Sequence, residues 1–149
     1  MIDVEIEDPT WTRALPDAEV LVRAAATATL ESEGAVGEGV TVLLTDDETV
    51  RDLNVRFRRQ DKPTNVLAFP APANPERLLG DVALARGVCA REAAEQGKSL
   101  ADHLRHLVAH GVLHLLGYDH MSDDEAQAME GRERTILAGL GIADPYEAR

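Results

Sequence analysis

The sequence predicts one α+β domain across residues 1–149, a small mixed four-stranded sheet packed by about five helices. Three observations predict it. Short apolar or alternating runs are interleaved with longer runs at the helical period. A chain of 149 residues suits one compact domain and can bury a core without disulfide or metal staples. No internal repeat, linker or low-complexity segment divides it.

Ile2 to Ile6 alternates apolar and polar residues, as a half-buried strand does. Asp17 is positioned to cap a helix reaching about Glu33, with Val20, Leu21, Ala24, Ala28 and Leu30 as its apolar stripe. Gly34 to Gly39 reads as a loop and Val40 to Leu44 as a strand. Thr45 or Asp46 then caps a helix through about Phe57, buried through Val50, Leu53 and Phe57. Asn65 to Phe69 is a short strand ended by Pro70. Pro70, Pro72 and Pro75 keep the following stretch out of a helix. Gly80 to Leu84 is the fourth strand, followed by a helix from about Ala85 to Gln96 that stops at Gly97. Ser99 caps a long helix to about Leu116, ended by Gly117. Ser122 starts the last, whose acidic first turn complements the helix dipole and which fades near Gly139. The predicted order is β-α-β-α-β-β-α-α-α.

Charge and composition narrow the function classes. Hydrophobic residues make up 44% and charged residues 28% of the chain, ordinary values for a globular protein. No apolar run approaches the ~20 residues of a membrane-spanning helix, so no membrane partner is expected. The start, MIDVEIEDPTW, is acidic and lacks the basic end and apolar run of a signal peptide. Cys89 is the single cysteine, which rules out an internal disulfide. These features favour a cytoplasmic location. A net charge of −12 argues by itself against a nucleic-acid partner. The distribution qualifies the sum. Arg51, Arg56, Arg58, Arg59 and Lys62 stand against only Asp52 and Asp61. A solvated helix face accounts for such a stretch as readily as a phosphate contact does.

The chemistry concentrates in HGVLHLLGYDH, from His110 to His120. His103, His106, His110 and His114 fall within a stripe of about 80° on one helix at ~100° per residue. His110 and His114 are one turn apart, so their imidazoles can converge on one ion. Gly117 accepts a left-handed conformation where the helix should stop, and His120 can swing back three residues later. The spacing H-x3-H-x2-G-x2-H is that of metzincin zinc proteases, which makes this a metalloprotease-like His-rich helix. Three histidine ligands leave an open coordination position, the mark of a catalytic site, and zinc is the expected ion, one per chain. Metzincins carry a glutamate general base directly after the first histidine. Here that residue is Gly111, which argues against peptide hydrolysis. His103 and His106 are expected as pocket residues or as partners of the ligands. Asp119 can orient a ligand, act on water or cap the turn.

Three blocks resemble one known family. They are LNVRFRRQDKPTNVLAFP from Leu53 to Pro70, LLGDVALA from Leu78 to Ala85, and HGVLHLLGYDH followed by DDEAQAME. In order and separation they resemble the YbeY endoribonucleases, also described as rRNA maturation factors. The resemblance implies a cytoplasmic, metal-dependent endoribonuclease specific for single-stranded RNA. It implies maturation of the small-subunit (16S) rRNA 3′ end and ribosome quality control. The implied partners are single-stranded rRNA, the small ribosomal subunit with its proteins, and the GTPase Era. It assigns zinc to His110, His114 and His120, and a functional arginine to Arg58. Arg56, Arg59 and Lys62 could then track the RNA backbone. Phe57 replaces a frequent tyrosine of the family, Ala68 a frequent serine, and Asn65 stands where aspartate is also common. None of these changes removes a ligand. The general base stays open, since either water or the 2′-hydroxyl can be the nucleophile. Two alternatives remain: a non-catalytic zinc-containing assembly factor, whose acidic surface would meet basic ribosomal proteins, and a metal-dependent peptide hydrolase.

Overall fold

The computed structural model describes residues 1–62 and 64–147. Its sheet has four strands, β1 (Ile2–Ile6), β2 (Gly39–Thr45), β3 (Val66–Pro70) and β4 (Leu78–Ala85), in the order β1-β2-β4-β3. β2 is parallel to both β1 and β4, whereas β3 runs antiparallel to β4 and forms an outer edge. The mixed four-stranded α+β architecture is therefore the one expected.

Six helices are described, one more than the sequence predicts. They are α1 (Thr10–Ala14), α2 (Ala18–Ser32), α3 (Asp47–Arg58), α4 (Arg86–Glu95), α5 (Leu100–Leu115) and α6 (Asp123–Gly139). The extra one, α1, is too short to display a helical period. Trp11 makes it necessary: its ring is fully buried, and its indole N–H donates to the Thr45 carbonyl at 3.0 Å. Asp46, Ser99 and Ser122 cap α3, α5 and α6 by accepting backbone N–H bonds, as their residue types foretell. Asp17 stands at the start of α2 but makes no side-chain cap.

Alternation along the strands divides the core. Val40, Val42, Leu44, Val82 and Leu84 face one layer, formed by α2 and α5. Leu43, Leu67, Ala83 and Ala85 face the other, against α3. α6 lies against α5 through Met129 and Ile136, which meet Ala109 and Leu113. Two predicted stripes need correction. On α2 the buried residues are Ala18, Val22, Ala25, Ala26, Thr29 and Leu30, while Val20 is exposed. Small side chains let α2 approach its neighbours closely, so packing overrides residue hydrophobicity here. On α3, Val50 is buried but Phe57 is 65% exposed, and Asn54 is buried instead, donating to the Lys62 carbonyl at 3.1 Å.

α5 is the helix most constrained by the sheet. A Cβ on Gly111 would stand 2.7 Å from Val82 Cγ1, closer than real Cβ contacts come. Gly111 is thus the point where helix and strand meet. The residue after His110 faces the sheet, where a glutamate has no room. Gly111→Glu should therefore lower stability by roughly 3 kcal/mol or more, from overpacking together with burial of a charge. Urea denaturation measures this. An unchanged midpoint would show that α5 is not seated as described.

Candidate metal centre

His110 and His114 project from the last two turns of α5, half-buried, and His120 is exposed in the segment after it. One nitrogen from each of the three lies within 4.8 Å of the others. Among the described residues no further histidine, cysteine or carboxylate joins them. The ring centroids are 4.7 Å apart for His110 and His114, 5.1 Å for His114 and His120, and 6.0 Å for His110 and His120. This set can hold one metal ion through three imidazoles, with a position left over.

The return of His120 has a local cause. Gly117 has φ 103°, a left-handed value that turns the chain at the helix end. The Tyr118 N–H donates to the Leu113 carbonyl at 3.1 Å, and its hydroxyl donates to Glu33 Oε1 at 2.6 Å. Arg132 from α6 binds the other oxygen of Glu33 at 2.8 Å. The turn is thereby tied to α2 and α6. Asp119 Oδ1 accepts the backbone N–H of His120 at 2.7 Å and stands 3.9 Å from its Nδ1.

The sequence did not single out Glu133, on α6. It is fully buried and accepts from three donors. His106 Nε2–H reaches its Oε1 at 2.9 Å and His110 Nδ1–H reaches the same oxygen at 3.0 Å. The Tyr146 hydroxyl donates to Oε2 at 2.8 Å. Burial alone would raise its pKa. The hydrogen bonds and electrostatic attraction of the His106 and His110 rings outweigh burial and hold it at about 2. An ionised carboxylate only accepts, so it fixes the proton of His110 on Nδ1 and leaves Nε2 for a metal. The available signal was a carboxylate on an apolar stripe, since Glu133 shares the buried face of α6 with Met129, Ile136 and Leu137.

His106, an expected supporting residue, meets His110 edge-on with ring centroids 6.4 Å apart and shares Glu133 with it. His103 is buried farther along α5, and its Nε2 is paired with Glu92 Oε1 at 2.9 Å. Glu92 also accepts from Asn65 Nδ2 at 3.0 Å. These residues, with His110 and Tyr146, line a polar pocket of about 330 Å³.

Arg58 lies elsewhere. It ends α3, donates to the Ala68 carbonyl on β3 at 2.8 Å, and lines a groove of about 920 Å³ on the α3 side of the sheet. Arg59 and Lys62 are exposed beyond the helix end. Register relates the two places. Leu107 shares the polar pocket with Val66, and Leu115 approaches Gly80, the partner of Pro70. The stretch of α5 bearing His110 and His114 therefore runs beside β3, the edge strand that Arg58 grips.

The family model described as endoribonuclease YbeY matches residues 5–141. A protein named endoribonuclease YbeY from Azorhizobium caulinodans is 54% identical, over 97% of this chain and 95% of its own. Relatives of the same name from Paramagnetospirillum magneticum and Rhizorhabdus wittichii are 53% and 47% identical, over 97% and 98% of this chain and 94% and 97% of theirs. The solution structure of TM1509 from Thermotoga maritima shares the fold, with a TM-score of 0.57 at 23% identity. The match spans 99% of this chain and 100% of that one.

Two outcomes test the centre. Glu133→Gln should weaken metal affinity roughly 10- to 100-fold, because His110 loses its orienting acceptor. Competition with a chromogenic chelator measures this, and unchanged affinity would remove Glu133 from the site. The second concerns pH. Burial first, then the charges of His110 and His120, lower the pKa of His114 below its ordinary 6.5. A lowered pKa keeps the ring neutral, and so able to bind a metal, into more acidic solution. Metal retention should fall with a midpoint below 6.5. A midpoint above that value would contradict the assignment.

Proposed function

The chain belongs to the endoribonuclease YbeY family, and on that premise we propose that it is a zinc-dependent endoribonuclease acting on single-stranded rRNA at His110, His114 and His120. Its place is then the cytoplasm, in maturation of the small-subunit (16S) rRNA 3′ end and in ribosome quality control. The small subunit, its proteins and the GTPase Era are its partners there. The observation that carries this reading is the cluster of three imidazoles within 4.8 Å in a chain of this family. Among the described residues no helix is long and apolar enough to cross a membrane.

The donor set fits zinc, a borderline-soft ion that takes imidazole nitrogen, and Glu133 supplies the carboxylate that commonly backs such a histidine. Zinc bound there supplies Lewis-acid polarisation of a phosphoryl oxygen or lowers the pKa of water. The protein's own groups do the rest. His110 is held in one tautomer by Glu133, and His120 is held near the ligand set by the Gly117 turn. The guanidinium of Arg58 spends one N–H on Ala68 and keeps others for a phosphate, whose developing charge it offsets. Its grip on the strand beside the histidine-bearing turns of α5 supports that role. The packing of Gly111 on Val82 leaves no place for a protease base and disfavours the peptide hydrolase.

The net charge of −12 favours one second reading, an assembly factor that meets basic ribosomal proteins and whose metal only organises the fold. A cleavage assay on purified protein, with metal content measured in parallel, separates the two. His114→Ala should lose metal and cleavage together. Arg58→Ala should keep its metal and cleave about 10²- to 10³-fold more slowly. Equal cleavage by all three proteins would show that another nuclease is present and this site is not responsible. A folded His114→Ala protein that sustains rRNA maturation in cells would establish the assembly reading instead. The product ends identify the nucleophile, since a 2′,3′-cyclic phosphate is incompatible with direct attack by water.

A further inference from the structure

The groove on the α3 side of the sheet has a volume of about 920 Å³, and no histidine lines it. Its α3 side is aromatic and basic. Phe57 is 65% exposed and meets Phe69 edge-on, with ring centroids 5.4 Å apart. The Arg58 guanidinium stands 6.0 Å from the Phe69 ring. The floor is acidic: Asp81 pairs with Phe69 across the β3–β4 register, and Glu5 lies farther along the sheet.

A single exposed phenylalanine is unremarkable. An exposed ring braced by a second ring, beside a guanidinium and over an open groove, has the parts of a platform for a nucleobase. Arg58 lines the groove, and Arg56, Arg59 and Lys62 are its exposed near neighbours in a chain of net charge −12, so the end of α3 complements a polyanion. The carboxylates of the floor repel phosphate and keep the RNA backbone on the α3 side. Asp81 then faces the edge of a stacked base. A carboxylate accepts and does not donate, so it is repelled by the two carbonyls that flank uracil N3–H and favours a base presenting an amino group.

We propose that this groove is a base-binding subsite of the nuclease: one unpaired base stacks on Phe57, its phosphate lies on Arg58, and Asp81 selects an amino-bearing base such as cytosine over uracil. The subsite rests on the endoribonuclease reading. It accounts for single-strand specificity, because a base within a duplex has no free face to offer.

The test is equilibrium binding of a short, fully 2′-O-methylated single-stranded RNA to metal-loaded protein, read by fluorescence anisotropy. Phe57→Ala should weaken binding roughly 5- to 100-fold, and the deficit should vanish on an abasic chain of the same length. Phe57→Trp should bind like wild type, with its new fluorescence quenched by the RNA. Trp11, fully buried, gives no such signal. Cytosine-rich chains should bind more tightly than uracil-rich ones, and Asp81→Asn should narrow the difference. Unchanged binding by Phe57→Ala, with Arg58→Ala weakened, overturns the subsite and leaves the phosphate role of Arg58 standing. Equal binding of the two compositions overturns the selection by Asp81. Wild-type protein that binds no RNA overturns the subsite together with the nuclease reading. Loss of polylysine binding in place of RNA binding by Phe57→Ala would assign the groove to a basic protein and overturn the proposal.

Discussion

Helix α5 lies close against β4 because residue 111 has no side chain, and the placement of the histidines depends on that contact. With Gly111 seated on Val82, the rotation of the helix about its axis is fixed. His110 and His114 then stand half-buried beside β3, one turn apart on the same stripe. The position where a metzincin keeps its general base is turned into the core. One close approach therefore sets the histidine geometry and leaves no room at residue 111 for the base that the same spacing carries in metzincins.

Electrostatics complete what packing begins. A fully buried carboxylate without partners would be costly, yet Glu133 accepts from His106, His110 and Tyr146 and remains ionised. It joins α6 to α5 through hydrogen bonds as well as through the apolar contact of Met129 and Ile136. The same bonds decide which nitrogen of His110 is left for a metal. A second carboxylate, Glu33, works in parallel on the far side of the turn. It holds Tyr118 and Arg132 together, so the segment carrying His120 is anchored to α2 and α6. The ligand set thus draws on two helices that contribute no ligand.

The two faces of the sheet divide the labour. The α5 face carries the three histidines that could hold a metal and a polar pocket, and the α3 face carries Arg58, the exposed ring of Phe57 and an open groove. β3 connects them, because as an edge strand it leaves the Ala68 carbonyl free to take the Arg58 guanidinium. An RNA chain bound in the proposed groove would lie beside this edge.

The sequence by itself determined the four strands, the caps of α3, α5 and α6, and the three-histidine motif with its turn. These features are local. Each depends on residue type at short spacing: a capping hydroxyl or carboxylate, a helical i to i+4 pair, a glycine at a helix end. The short helix α1, the buried face of α2 and the exposure of Phe57 were decided by tertiary packing, where small or large side chains meet surfaces distant in the chain. The same holds for Glu133, whose partner His110 is 23 residues away. Its buried face on α6 could be read as a pattern, but its role could not, because hydrogen-bond partners on another helix leave no periodic trace. Arg58 was legible as a basic residue in a family motif. Its position, on the opposite face of the sheet from the histidines but gripping the strand beside them, follows from the antiparallel pairing of β3 with β4 and from no property of the arginine itself.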